Sequence, residues 1–314
     1  MFLSKKLNNI TILIISLKKS KRVKFLINRL KKLDLEYKII NGINGRELHK
    51  EKKLDKYADE KIIKKKIGRD MSPSEIGAAA SHIKAYKFIV KNKIQRAVIF
   101  EDDAFPSIKF KNWIKSTTFN ESNAILSFFA YPSGYLNKNK IKKYDNNNIE
   151  VFLSKTHIYS CGCYLINNQT AKKILRISKG KVINYPDWSF SKITDKISLF
   201  VTVPFLVVMS DRGISNLSSD RNKILIKSNN IFKKLSSKNF LFLPKIFYYL
   251  FFLPFIFRKY QDLTFYLEHY FIKNYFRLKN IFFDSEIDLY KVSYNRNYYV
   301  KDLRREFDRA KKLF

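Results

Sequence analysis

"ITILIISLKKSKRVKFLINRLKKLDLEYKIING", Ile10 to Gly42, decides the fold class. Residues 10–17 form a continuous run of apolar character and strand length, the mark of a strand covered on both faces. From Ser20 onward, Val23, Leu26, Ile27, Leu30 and Leu33 recur at helical spacing, with Lys and Arg in the intervals. A second strand is expected at "YKIING", after which "NGING" turns the chain. Strand, helix, strand is the opening of an α/β sheet.

The pattern continues downstream. In "MSPSEIGAAASHIKAYKFIVKNK", Ser72 is placed as an N-cap, Pro73 as the first helical residue and Glu75 as the partner that closes a capping box. Ile76, Ala79, Ala80, Ile83, Tyr86 and Val90 share one face, whose small alanines predict close packing against a sheet. "AVIF" is the next strand and delivers Glu101, Asp102 and Asp103 at its C-terminal end, where open α/β sheets bind their ligands. "AILSFFA", "IYSCGCYLI" and "LFVTVPFLVVM" read as further strands, with a helix at "NQTAKKILRI" between the last two. Residues 1–220 are therefore read as one α/β domain.

The chain has 314 residues, 46% hydrophobic and 16% aromatic, which excludes a disordered or collagenous protein. Its 62 Lys and Arg against 27 Asp and Glu, a net charge of +35, favour polyanionic partners: nucleic acid, anionic lipid or phosphorylated substrates. Compositional bias that fills solvated faces with Lys is the alternative source of that charge. With only Cys161 and Cys163, neither a disulfide nor a zinc ligand set is expected, which points to the cytoplasm. "ITILIISL" is followed by "KKSKR" rather than small residues, so it reads as a strand and not as an export signal.

Composition shifts beyond "SDRGISNLSSDRNK". Residues 221–314 are basic and rich in Tyr and Phe, and residues 239–257, "NFLFLPKIFYYLFFLPFIF", are the most apolar stretch. Pro244, Lys245 and Pro254 argue against a spanning helix and for a segment lying in the membrane surface, attracted by anionic lipid. A helical subdomain packed on the core is the other reading.

Adjacent carboxylates repel, so three in a row within a chain of charge +35 ask for a cation. Hard divalent cations take oxygen ligands, and two carboxylates at a strand end can hold one while leaving positions for phosphate oxygens. Such an ion would ease the departure of a diphosphate. A loop salt bridge or N-cap is the competing use of the same residues.

Four blocks in this order resemble glycosyltransferase family 25, the lipooligosaccharide and collagen sugar transferases: "ILIISLKKSKRVKFLINRLKKL", "IINGINGREL", "MSPSEIGAAASHIKAYKFI" and "AVIFEDDAFPS". "GCYLINNQTAKKIL" and "YPDWSF" are similar to two later family blocks, so the resemblance spans residues 10–215. Ala78 stands where the family often has Cys, and Ser74 replaces a Gly. The resemblance implies a GT-A-like, Rossmann-type nucleotide-sugar-binding domain that moves galactose or glucose from a UDP-sugar to a lipid-linked or lipopolysaccharide saccharide acceptor. Inversion at the sugar, a divalent cation (Mn2+ or Mg2+) and work at the inner face of the inner membrane are expected with it.

Roles follow on that footing. Glu101 and Asp103 are the expected metal ligands, and Asp102 a substrate contact. Asp187 is the candidate base beside Trp188, which can stack on a sugar ring; its competing role is a helix N-cap. Ser81 and His82 are donor-site candidates by the motif match, or structural residues of a helix. Glu75 is a further substrate-site candidate whose cap already accounts for it, and Ser16, Leu17 and Arg22 can meet uridine or phosphate. Two rivals stand beside this reading. A nucleic-acid-binding protein would use the charge and aromatics but lacks any recognised binding signature, so no nucleic-acid partner is expected. A non-catalytic membrane-associated protein would keep the fold without the chemistry.

Overall fold

The computed structural model describes residues 10–67, 70–129, 135–143, 149–154, 161–184, 197–209 and 286–288. The opening is β-α-β: β1 (Ile10–Ser16), α1 (Val23–Lys32) and β2 (Lys38–Asn41), with β1 and β2 parallel and Ile14 opposite Ile39. β1 is buried at six of seven positions because it has strands on both sides, whereas β2 is the sheet edge and leaves Lys38 and Ile39 exposed. α1 covers the sheet with Phe25, Leu26 and Leu30.

The chain then makes α2 (Gly45–Lys50), a short 3-10 turn, α3 (Glu60–Ile67) and the long α4 (Pro73–Lys91). The capping box forms as the sequence predicts: the Glu75 amide donates to the Ser72 hydroxyl at 3.2 Å, and the Ser72 amide to the Glu75 carboxylate at 2.8 Å. After it come β3 (Arg96–Glu101), β4 (Ala104–Pro106), α5 (Ile108–Ser116), β5 (Ala124–Ser127), β6 (Tyr135–Lys143), β7 (Glu150–Ser154), β8 (Cys163–Asn167), α6 (Asn168–Ser178), β9 (Ser198–Val203), β10 (Val207–Met209) and β11 (Glu286–Asp288).

The fold is mixed α/β. One nine-stranded sheet runs β11-β6-β7-β9-β5-β8-β3-β1-β2. β1 is parallel to β2 and β3, β5 is parallel to β9, and β8 is antiparallel to both β3 and β5. Two expectations are corrected. "LFVTVPFLVVM" is not one strand: Pro204, which has no amide proton for a ladder, follows the end of β9, and β10 pairs antiparallel with β4 instead. Nor do the α4 alanines pack simply on the sheet. Ile76, Ala79 and Ala80 form a separate buried cluster with Ala58, Ile63, Met71 and Val182, while Ala85, Tyr86 and Ile89 face the main core.

α2 and α4 meet backbone to backbone. A Cβ at Gly77 would lie 2.5 Å from the Gly45 nitrogen and 2.7 Å from the Ile43 carbonyl oxygen, both main-chain atoms that cannot swing aside. An exposed helical Gly→Ala change normally gains up to about 1 kcal/mol. Gly77→Ala is expected to do the opposite, costing roughly 2 kcal/mol through overpacking. A fall in the urea midpoint at unchanged slope checks this, and a rise would sink it.

Among the described residues no helix is long and apolar enough to cross a membrane. Residues 239–257 lie outside the described residues, and of the extension 221–314 only β11 is described, as the outer strand beside β6.

Candidate functional site

The site grows from the register of two neighbouring parallel strands. Ile15 of β1 lies opposite Glu101 of β3, so the loop after β1 and the acidic turn after β3 leave the same C-terminal end of the strands together. The apolar run "AVIF" is fully buried, and it carries the three carboxylates to that end.

Asp102 is buried and saturated by the β1–α1 loop. Its Oδ2 accepts from the Ser16 hydroxyl at 3.1 Å and the Ser20 hydroxyl at 2.6 Å, and its Oδ1 pairs with the Arg22 guanidinium. Leu17 shapes that loop through its carbonyl, which accepts from the Ser20 amide at 2.9 Å. Gly42 closes it from the β2 side by donating its amide to the Ser16 carbonyl at 2.7 Å. Arg22 also reaches Asp103, with Nη1 3.3 Å from Oδ2. Burial works against the Arg22 charge, but Asp103 and Asp102 outweigh it and hold the guanidinium protonated.

Asp103 is the unsatisfied member. Its Oδ1 is buried with no hydrogen-bond partner among the described residues. Burial, and then the Glu101 charge, push its carboxyl up to about 7 from the ordinary 3.8, Arg22 opposing and Asp102 adding to the rise. The folded chain thus holds this proton longer than the unfolded chain, so stability is lost as pH rises from about 4 through about 7. Asp103→Asn cannot ionise. Without divalent cations it is expected to melt with wild type near pH 4 and at least about 3 °C above it at pH 8, the response of such a domain to roughly 1 kcal/mol. Coincident melting at pH 8 would contradict this.

Glu101 Oε1 sits 3.2 Å from His82 Nε2 and accepts from the Cys161 thiol at 3.1 Å. Burial disfavours the Glu101 carboxylate, yet the His82 and Cys161 bonds and the Arg22 charge prevail and hold its pKa below the usual value. His82 Nδ1 is 2.8 Å from the Tyr164 hydroxyl, itself 2.8 Å from the Tyr86 hydroxyl. Burial drives both tyrosines well above their ordinary pKa, so both phenols stay protonated.

The structure therefore joins Ser16, Arg22, Asp102 and Asp103 in one cluster of hydrogen bonds and ion pairs, and Glu101 with His82 in a second, linked to the first by the charge of Arg22. Ser81 works away from it: its hydroxyl accepts from the Ile43 amide at 2.8 Å and donates to the Gly77 carbonyl at 2.7 Å, pinning the chain between β2 and α2 onto α4. Glu75 closes its cap two helical turns before His82, about 10 Å along the axis. Asp187 and Trp188 lie outside the described residues.

Sequence reasoning missed Ser20, Tyr86, Tyr164 and Cys161. The expectation that the cysteines find no metal-ligating neighbours is corrected: Cys161 Sγ, His82 and Glu101 place ligand atoms within 4.8 Å of one another. The "SCGCYL" block held the signal, because pairing β8 to β3 with Cys163 opposite Phe100 brings Cys161 to the Glu101 end of the sheet.

The donor chemistry suits a hard cation. Asp103 offers an oxygen with no partner among the described residues and Glu101 a second carboxylate, while Asp102 is already committed to protein partners.

The sequence profile of glycosyltransferase family 25 (LPS biosynthesis protein) matches residues 9–188. Among curated proteins none matches the chain. Among solved structures, a mannose-1-phosphate geranyltransferase from Thermus thermophilus is similar over 62% of this chain and 73% of its own, at 10% identity and a TM-score of 0.35. A197 from STIV is similar over 66% of this chain and 96% of its own, at 14% identity and a TM-score of 0.34.

Proposed function

The chain belongs to glycosyltransferase family 25, and from that premise we propose that it transfers a hexose, galactose or glucose, from a UDP-sugar to a saccharide acceptor of lipooligosaccharide or lipopolysaccharide, with inversion. The observation that carries the reading is the buried Asp103 oxygen, without a partner among the described residues, beside Glu101 at the C-terminal end of β3. Asp103 and Glu101 would hold the divalent cation, Mn2+ or Mg2+, whose charge serves the diphosphate when it is bound.

The chain's own residues supply the rest. Arg22 keeps its charge beside the same turn and can meet phosphate oxygens as UDP leaves. α1 begins directly after this loop, with no side-chain cap and no acidic residue in its first turn, so the positive end of its dipole faces the turn, although the Lys24 and Phe25 amides already donate to the Lys21 and Arg22 carbonyls. Asp102 fixes the Ser16–Arg22 loop rather than touching the donor, and Ser81 fixes the neighbouring loop at Ile43. Asp187 takes the proton of the attacking hydroxyl, Trp188 stacks on the sugar, and residues 221–314 hold the protein to the inner face of the inner membrane, where the acceptor is made.

Isothermal titration of the full-length chain with UDP tests this. Binding at least about tenfold tighter with Mn2+, or roughly 1.4 kcal/mol, is expected. Equal binding with and without Mn2+ would remove Glu101 and Asp103 from metal duty, and no UDP binding at all would overturn the proposal.

A further inference from the structure

We infer that His82 Nε2, Glu101 Oε1 and Cys161 Sγ form a three-ligand site for a borderline divalent metal of the Zn2+ or Co2+ class, distinct from the hard-cation position at Asp103. The three atoms come from α4, the end of β3 and the residues before β8, separated by 19 and 60 positions in the chain, and all lie within 4.8 Å of one another. Two edges of the triangle, 3.2 Å and 3.1 Å, lie just inside the roughly 3.3–3.5 Å that separates ligands about a tetrahedral ion with bonds of about 2.0–2.3 Å, so small outward shifts would seat one. Nitrogen, sulfur and oxygen together suit a borderline ion, and three protein ligands leave a fourth position for water or substrate.

The surroundings are those of a held ligand set. His82 is 2% exposed and Cys161 8%, and Glu101 forms the more open side with a side chain 30% exposed. The His82 ring stacks on Tyr164 at 5.7 Å, and Tyr164 meets Nδ1 at 2.8 Å with Tyr86 behind it. Without metal, Nε2–H donates to Glu101 Oε1 and Nδ1 accepts from the Tyr164 hydroxyl; with an ion in place the proton moves to Nδ1, which then donates to Tyr164 and frees the Nε2 lone pair, the tautomer a metal needs. Without metal, the thiol proton fills the gap by bonding to Glu101 Oε1. On binding, Cys161 releases that proton to solvent and ligates as thiolate. Glu101 has two carboxylate oxygens, so service here through Oε1 does not require Asp103, and the inference does not depend on the glycosyl-transfer reading.

Co2+ is the probe. The sequence has two cysteines, so Cys163→Ser leaves Cys161 as the sole thiol without touching any proposed ligand. Titrating Co2+ into full-length, metal-stripped Cys163→Ser protein is expected to give a thiolate-to-cobalt charge-transfer band in the near ultraviolet, saturating at one ion per chain. Asp103→Ala is expected to keep the band. Cys161→Ser in the otherwise native chain should lose it and bind Co2+ at least about 100-fold more weakly, in line with loss of a ligand. Absence of the band in Cys163→Ser protein that retains its circular dichroism overturns the inference, as does a band that disappears in Asp103→Ala. Titration with UDP reads the donor site separately, so either proposal can fail without the other.

Discussion

Replacing Asp103 by Ala is expected to abolish the Mn2+-dependent part of UDP binding, with a loss of at least about tenfold, equivalent to roughly 1.4 kcal/mol. The folded chain should survive the change, because Asp103 contributes no saturated network: one oxygen faces Arg22 at 3.3 Å and the other is buried without a partner among the described residues. Burying an unpaired acceptor costs free energy that only a ligand can return. Glu101 cannot take over alone, since its Oε1 is engaged by His82 and Cys161. Titration of UDP with and without Mn2+ on wild type and Asp103→Ala checks the prediction. Retention of the metal-dependent increment in the variant would refute it.

The adjacent carboxylate is expected to respond with the opposite sign in stability. Asp102→Ala strands the Arg22 guanidinium and removes the acceptor for the Ser16 and Ser20 hydroxyls, with Ser16 and Asp102 buried and Ser20 and Arg22 partly exposed. Removing one partner of a buried ion pair costs about 3–5 kcal/mol. Arg22 is about a third exposed, which places the expected loss near the lower end, about 3 kcal/mol, and about 6 °C or more in melting temperature. Asp102→Asn should fall between, keeping acceptance from the serines while losing the charge. Chemical denaturation of the three proteins measures this. If Asp102→Ala melted with wild type, Asp102 would not be the clasp between β1 and β3 described here. The contrast with Asp103→Asn, expected to stabilise above neutral pH, separates two neighbours that look identical in sequence.

What could be read from the chain alone follows sequence separation. The β-α-β opening, the capped helix and the acidic end of β3 are local patterns: an apolar run, a Ser-Pro-x-Glu start, a strand followed by like charges. The same locality gave the α/β class. The division of labour within "EDD" was not legible, because Ser16, Ser20 and Arg22 stand 80 to 86 residues from Asp102, and only the parallel register of β1 on β3 brings them together. Cys161 escaped notice for the same reason, at 60 residues from Glu101. The α4 alanines were misplaced because periodicity marks a buried face without naming what covers it; here Gly45 and Gly77 draw α2 onto that face.

We propose sugar transfer from a UDP-hexose at the strand-end turn built by Asp103, Glu101 and Arg22. Its most direct test is the release of UDP from UDP-galactose and from UDP-glucose by the full-length chain with Mn2+, with and without a lipooligosaccharide acceptor. UDP release from at least one donor, stimulated by acceptor and lost in Asp103→Ala, is the predicted result. No release from either donor, together with tight, salt-dependent nucleic-acid binding in a gel shift, would contradict the account and return the +35 charge to the centre of the protein's function.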